Sequence, residues 1–266
     1  GRRRPPELHL PEPVAGLLNP AIYPEHPHQV ELVQTHLSYV FLVGEHVYKV
    51  KKPVDFGFVH FTTLEQRRLY CQREVELNSR LAPNVYLGVV PITRQAGRLA
   101  LGGDGEVVEY AVKMRRLPQE QMMNVLLPQG KVTREMVGRV AQVLARFHQQ
   151  ADTSDRIAAY GHPQAVAINT EENFQQTERY IGVTITVEQY QTIVTYTRNF
   201  LKEKAPLFLE RMAQGRVRDC HGDIHSEHVC LEDGIFIFDC IEFNERFRYC
   251  DVTAEIAFLA MDLDFH

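Results

Sequence analysis

The sequence predicts an α+β protein in two lobes, a small β-rich N-lobe followed by a mainly helical C-lobe. Three observations carry that expectation. Apolar-rich runs with alternating side chains dominate the chain before Leu117-Pro118. After that break the apolar spacing turns helical. A length of 266 residues with 44% apolar and 24% charged residues is ordinary globular composition and can fill the cores of two modest lobes.

The elements follow in order. Residues 1–30 hold much of the proline, including Pro5, Pro6, Pro11, Pro13, Pro20, Pro24 and Pro27, and read as an extended arm with at most a short helical turn. The N-lobe is expected over 31–116 and regular structure near Gln34. His36 to Val43 and His46 to Lys52, split by Gly44-Glu45, form a hairpin signal. On its second strand Val47, Lys49 and Lys51 share one face. Thr62-Thr63-Leu64-Glu65 has capping-box spacing and should open a helix running to about Leu81, before Pro83. Tyr86 to Ile92, Leu99 to Leu101 and Val107 to Met114 read as strands. Leu117-Pro118 is a hinge, and the C-lobe occupies 117–266. There Thr133 caps a helix with Met136, Val140, Leu144 and Phe147 on one face. A second capping-box spacing, Thr186 to Gln189, precedes another helix that Pro206 ends or kinks. Short strands follow at Val217 to Asp219, His228 to Leu231 and Ile235 to Phe238, with Asp233-Gly234 as a turn. A last helix is expected from about Asp251 to Asp262.

The net charge of −5 does not mark a nucleic-acid binder. The charge is uneven: Arg216 to Glu255 holds four arginines, no lysine and ten acids. Such a segment suits a divalent metal or a cationic substrate, or forms a solvated acidic face. No apolar run reaches the roughly 18 residues of a membrane span. The five cysteines include no CxxC pair, the usual mark of structural zinc. Their odd number, with no secretion signal, leads us to expect reduced thiols and a cytoplasmic protein.

The chemistry concentrates in Asp219-Cys220-His221-Gly222-Asp223-Ile224-His225-Ser226-Glu227-His228, a loop between two short strands. Further on, Ile237-Phe238-Asp239 puts an acid at the end of a buried-looking strand. If the intervening hairpin folds back, one acid can orient a hydroxyl nucleophile while the other holds Mg²⁺ against ATP phosphates. Phosphoryl transfer asks little more of a protein than positioning, a proton acceptor and charge neutralisation.

His221-Gly222-Asp223-Ile224-His225 resembles the HGDxH catalytic loop of the aminoglycoside phosphotransferase and choline kinase group. These enzymes have a bilobal protein-kinase-like fold. Four further segments share the resemblance: Val47 to Val54, Leu77 to Pro83, Glu109 to Met114, and Phe238 to Asn244. It extends over roughly residues 30 to 266. The whole chain resembles the kinase-like half of a bacterial family in which that half is often fused to a P-loop ATPase domain, so such a domain, fused or separate, is the partner it implies. The related fold normally continues with more helices after the point corresponding to His266, so a C-lobe truncated at its C-terminus is expected.

The resemblance implies a role for each matching residue. Asp223 would accept or orient the proton of the substrate hydroxyl. Asp239 would bind Mg²⁺. Lys49 would contact the α and β phosphates of ATP and pair with Glu74. Ser38 and Tyr39 lie where the phosphate-covering turn should be. Residues 110 to 116, among them Tyr110, Val112 and Met114, would take the adenine on backbone groups, and Asp251 would brace the catalytic loop. The implied acceptor is a small hydroxylated molecule of the aminoglycoside, amino alcohol or sugar type. One position departs from the pattern: His228 stands where the second metal ligand is usually Asn. Mg²⁺ prefers hard oxygen ligands, whereas imidazole also serves Mn²⁺. The covering turn also lacks glycine. These departures keep a second reading open, a catalytically weak nucleotide-binding or regulatory kinase-like module. A third counts His221, His225 and His228 with Cys220 or Cys230 as a zinc site, but it leaves Asp223 and Asp239 unexplained.

Overall fold

A computed structural model describes residues 10–266. The chain divides into two compact units, residues 1–132 with 227–244, and residues 133–226 with 245–266. The architecture is α+β, with the sheet in the first unit and most of the helix in the second.

The first unit is built on six antiparallel strands: β1 (Glu31–Gln34), β2 (Ser38–Val43), β3 (His46–Lys51), β4 (Tyr86–Gln95), β5 (Arg98–Leu101) and β6 (Glu106–Arg115), in the order β1-β2-β3-β6-β4-β5. The expected hairpin is β2–β3, with Val43 opposite His46 and Gly44 at φ 58° in its turn, a conformation glycine adopts without steric cost. Both sheet faces are covered, each by a different segment. Helix α1 (Leu64–Asn78) packs on one, with Cys71 in a cluster with Val112, Met114 and Tyr86. The other is covered by residues that the sequence places in the arm. Residues 1–9 of that arm lie outside the described residues. Beyond them Val14–Leu18 and Pro20–Ile22 form two 3-10 turns. Val14, Leu17 and Tyr23 are buried against Phe41, Tyr48 and Val50. Glu25 pins the segment, accepting from the Tyr48 hydroxyl at 2.8 Å and from Lys113 at 2.7 Å. The proline-rich start is therefore one layer of the core from residue 14 onward, not a loose extension.

The cap of α1 falls one residue later than the spacing predicts. Thr63 accepts from the Gln66 amide, and the Gln66 side chain returns to the Thr63 amide. The short α2 (Met123–Leu126) and the hairpin β8 (Val229–Cys230) with β9 (Phe236–Ile237) complete this unit.

In the second unit, α3 (Arg134–Gln150) starts at Thr133 as expected and buries Val140, Leu144 and Phe147. The small α4 (Asp155–Ala158) and the long α5 (Pro163–Thr177) come next. The sequence reading assigns no structure there, because α5 has no fully buried residue and so no clear apolar stripe. Helix α6 (Val187–Glu203) carries the expected capping box at Thr186 and Gln189. Pro206 does not merely kink it. A new helix, α7 (Ala205–Ala213), starts with Pro206 in its first turn, where the missing N–H costs nothing. β7 (Val217–Asp219) pairs with β10 (Tyr249–Asp251), which follows the short α8 (Glu245–Arg248). The last helix is α9 (Val252–Phe265), capped by Asp251. Among the described residues no helix is long and apolar enough to cross a membrane.

Candidate active site

In the first unit, strand alternation puts Lys49 and Lys51 on the face of β3 that α1 covers, so both ammonium groups leave water. Helix α1 brings Glu74, and the loop after β9 brings Asp239 and Glu242. Lys49 Nζ lies 2.6 Å from Asp239 Oδ1 and 2.9 Å from Glu74 Oε1. Lys51 Nζ lies 2.6 Å from Glu74 Oε2 and also pairs with Glu242. The expected Lys49–Glu74 pair is thus present, and Lys51, a same-face rival in the sequence, is a second cation on the same carboxylate.

Burial and charge oppose each other throughout this cluster. Burial pulls the Lys49 ammonium down, but Asp239 and Glu74 more than reverse it and leave it well above the usual lysine range. Burial lifts Glu74, but the two lysines hold it below the ordinary carboxylate range. Glu242 goes the other way: burial outweighs Lys51, and its carboxyl is raised. Buried charges survive only when paired, and here each has its counterion.

Asp239 has φ 60°, a left-handed conformation unusual for a residue with a side chain. Neighbours on two elements hold it. Its amide donates to the Tyr86 hydroxyl at 3.1 Å, and the next amide, of Cys240, donates to Asn78 Oδ1 at 2.9 Å. The Asp239 side chain is 42% exposed while those of Glu74 and Lys51 are 1% exposed, so Asp239 is the acid that presents itself to a ligand. His228 Nε2 stands 3.5 Å from Asp239 Oδ2. The two predicted metal ligands therefore come together. A half-exposed carboxylate with an imidazole beside it suits a divalent cation, and the carboxylate oxygen is the hard donor that Mg²⁺ requires.

The other nucleotide-binding candidates are placed differently from the expectation. Val112 and Met114 sit in β6 between β3 and β4, and Tyr110 pairs with Pro91 of β4. The backbone groups of Val112 and Met114 serve the sheet, and the Tyr110 amide donates to Glu109 Oε1 at 3.0 Å, so these groups are already engaged. Ser38 and Tyr39 are buried residues of β2. The turn before them is residues 35–37, and it caps itself: Thr35 Oγ1 accepts from the Leu37 and Ser38 amides. A turn that covers phosphates does so with its amides, and these two are already engaged.

Asp223 belongs to the second unit, in the loop after β7. Gly222 takes φ 91°, which a side chain would strain. The His221 and Gly222 amides both donate to Glu255 Oε1, at 2.8 and 2.7 Å, and Glu255 Oε2 meets His148 Nε2 at 2.7 Å. The Asp223 amide donates to His221 Nδ1 at 3.2 Å, which makes that nitrogen the acceptor of its ring. His225 Nε2 lies 3.7 Å from Asp223 Oδ2. The histidines of the motif thus shape the loop. The bracing acid is Glu255 rather than Asp251. Asp251 instead takes a two-pronged contact from Arg211, at 2.5 and 2.7 Å, and caps α9 through the Thr253 amide.

Of the two cysteines in the zinc reading, Cys220 groups its Sγ with His148 and Glu255, all three buried. Cys230 packs in the apolar cluster around Cys71, and Cys220 Sγ donates to the Cys250 carbonyl at 3.6 Å. Sequence reasoning missed Glu242, Tyr86, Asn78, Glu255 and His148 as members of the two clusters. Glu242 and Asn78 had a signal, since they lie within the Phe238 to Asn244 and Leu77 to Pro83 segments.

Proteins of Mycobacterium tuberculosis and Mycobacterium bovis described as uncharacterized are 35% identical over 237 residues. The match covers 89% of this chain and 46% of each relative, so the chain spans about half the length of the curated relatives it matches. No solved structure matches. A family profile described as "Phosphotransferase enzyme family" matches residues 58–265, most of the chain, and begins after Lys49 and Lys51. The chain is a member of the phosphotransferase enzyme family, related to the aminoglycoside phosphotransferases and choline kinases, with their protein-kinase-like fold.

Proposed function

We propose that this chain transfers the γ-phosphoryl group of ATP to the hydroxyl of a small molecule. The observation that carries the reading is the Lys49–Glu74–Asp239 arrangement, in which a buried carboxylate fixes a lysine beside a half-exposed acid. Lys49 then supplies a fixed positive charge to the α and β phosphates, which carry growing charge as ADP leaves. Asp239, with His228 beside it, is the seat for Mg²⁺ or Mn²⁺. The metal, when bound, neutralises phosphate charge. Asp223 orients the acceptor hydroxyl and takes its proton as oxygen bonds to phosphorus and the bond to the β-phosphate oxygen breaks. Rigid positioning is most of what such a reaction needs.

The acidic stretch from 216 to 255 does not favour an amine acceptor over a sugar. Its carboxylates are largely spent on cations of the chain: Asp219 on Arg248, Glu232 on Arg115, Glu242 on Lys51 and Asp251 on Arg211. A P-loop ATPase domain is the proposed partner in longer proteins of this type.

Calorimetric titration with Mg·ATP tests the reading. The parent chain is expected to bind, and Asp239→Ala to lose binding. Absence of binding at millimolar ATP rejects it. A second reading, a nucleotide-binding module of low turnover, draws on His228 and the self-capped turn. It is distinguished by ADP release across a panel of sugars, amino alcohols and aminoglycosides. Rapid release with any acceptor in the parent excludes it.

A further inference from the structure

Glu74 divides its two oxygens between two lysines of one strand, and the second lysine cannot reach a ligand. The Lys51 side chain is 1% exposed against 14% for Lys49, and the Phe61 ring lies 4.9 Å from its ammonium. A lysine so enclosed has no part in touching nucleotide. Its other partner, Glu242, is buried on the loop that also carries Asp239. Lys51 and Glu242 carry opposite charges, so together they leave the net charge of the cluster as it would be without them. What they contribute is a link from β3 to the carboxylate on α1 and to the loop of Asp239.

A buried ion pair is weak evidence of stability, because desolvation offsets most of the attraction, and its best-attested use is fixing register. The surroundings favour that use here. The same loop is held to α1 through Asn78 and Cys240, and Asn78 Nδ2 in turn donates to the Glu74 carbonyl. Tyr86 holds the Asp239 amide to β4. We infer that Lys51 and Glu242 are positioning residues, which lock β3, α1 and the 239–242 loop into one block so that Lys49 and Asp239 keep a fixed separation before nucleotide arrives. This rests on the phosphotransferase reading of Lys49 and Asp239 given above.

The double variant Lys51→Met/Glu242→Met tests it, since it removes both charges, keeps side chains of similar length and leaves the cluster's net charge unchanged. Its melting temperature should stay near the parent's. Its affinity for Mg·ATP should fall about tenfold, as for residues coupled in one network. The ratio of Mg·ATP affinity to metal-free ATP affinity should also fall, which a purely structural role would not produce. A variant that melts like the parent with both affinities unchanged overturns the inference. If the variant does not fold, hydrogen exchange on the unmodified, nucleotide-free protein decides. The amides of α1 around Glu74 and those of Asp239 and Cys240 should open together. Loop amides exchanging roughly 100-fold faster than those of α1 would show independent units and overturn the proposal. A parent that binds no Mg·ATP rejects the phosphotransferase reading alone, and the exchange result still decides the lock.

Discussion

At the scale of single residues, Lys49 and Lys51 look alike in the sequence and differ in consequence. Alternation places both on one face of β3, but nothing local says that α1 buries that face or that it buries Lys51 more completely. Their substitution should separate them. Lys49→Met removes the ligand-facing cation and should abolish Mg·ATP binding at modest cost in stability, since Glu74 keeps Lys51. Lys51→Met leaves Glu242 buried without its counterion and should cost about 3–5 kcal/mol, the usual penalty for breaking a buried pair from one side. Urea denaturation beside calorimetry checks both. Equal stability losses would contradict the assignment. Asp223 and Asp239 were legible from motif and spacing, and Lys49 and Glu74 through the resemblance alone. Tyr86 and Glu255 were not, because each acts through a fold-made contact that leaves no local signature. Asp251 was misassigned for the same reason: only the fold shows that Arg211 claims it.

At the scale of elements, legibility followed the strength of local chemistry. The β2–β3 hairpin, α3 and α6 stand where turn residues and caps put them, and α1 starts one residue later than its expected cap. Helix α5 was invisible, because its sequence carries no buried stripe. The first turns of the chain were misjudged because proline density hid Val14, Leu17 and Tyr23, whose burial depends on a sheet formed later in the sequence. The cap of α1 gives the element-scale prediction. Thr63 receives the Gln66 amide, so Thr63→Ala should destabilise the protein by about 1 kcal/mol. Thr62, the cap that spacing alone suggests, only contacts the Gln66 side chain at the surface. Thr62→Ala should therefore stay within about 0.5 kcal/mol of the parent. Urea midpoints of the two variants decide between the caps, and the reverse order would return the cap to Thr62.

For the whole molecule the measurable quantity is the pH dependence of unfolding, and one buried contact should dominate it between pH 6.5 and 8. His148 on α3 meets Glu255 on α9, whose other oxygen holds the loop of Asp223. Burial works against the His148 imidazolium, but hydrogen bonds with Cys220 and Glu255 and the Glu255 charge raise it from 6.5 to about 9. Burial also lifts Glu255, yet His148 and the loop amides leave it below the ordinary range. A group whose folded value is raised stabilises fully below its unfolded value and loses that contribution as pH climbs through the folded value. The His148 contribution is therefore complete below about pH 6.5 and fades up to about pH 9. Glu255, lowered, contributes above its unfolded value and loses its share on the acid side. The unfolding free energy of the parent should fall by roughly 1–2 kcal/mol between pH 6.5 and 8, below the range where the buried Cys71, Cys220 and Cys230 thiols, raised in the folded protein, begin to contribute. His148→Gln, which can still donate to Glu255 but does not titrate, should be nearly flat across that window. Denaturation curves at several pH values measure both. A parent profile as flat as the variant's would mean that His148 is neutral in the folded protein, and that Glu255 holds the loop of Asp223 without help from a charge.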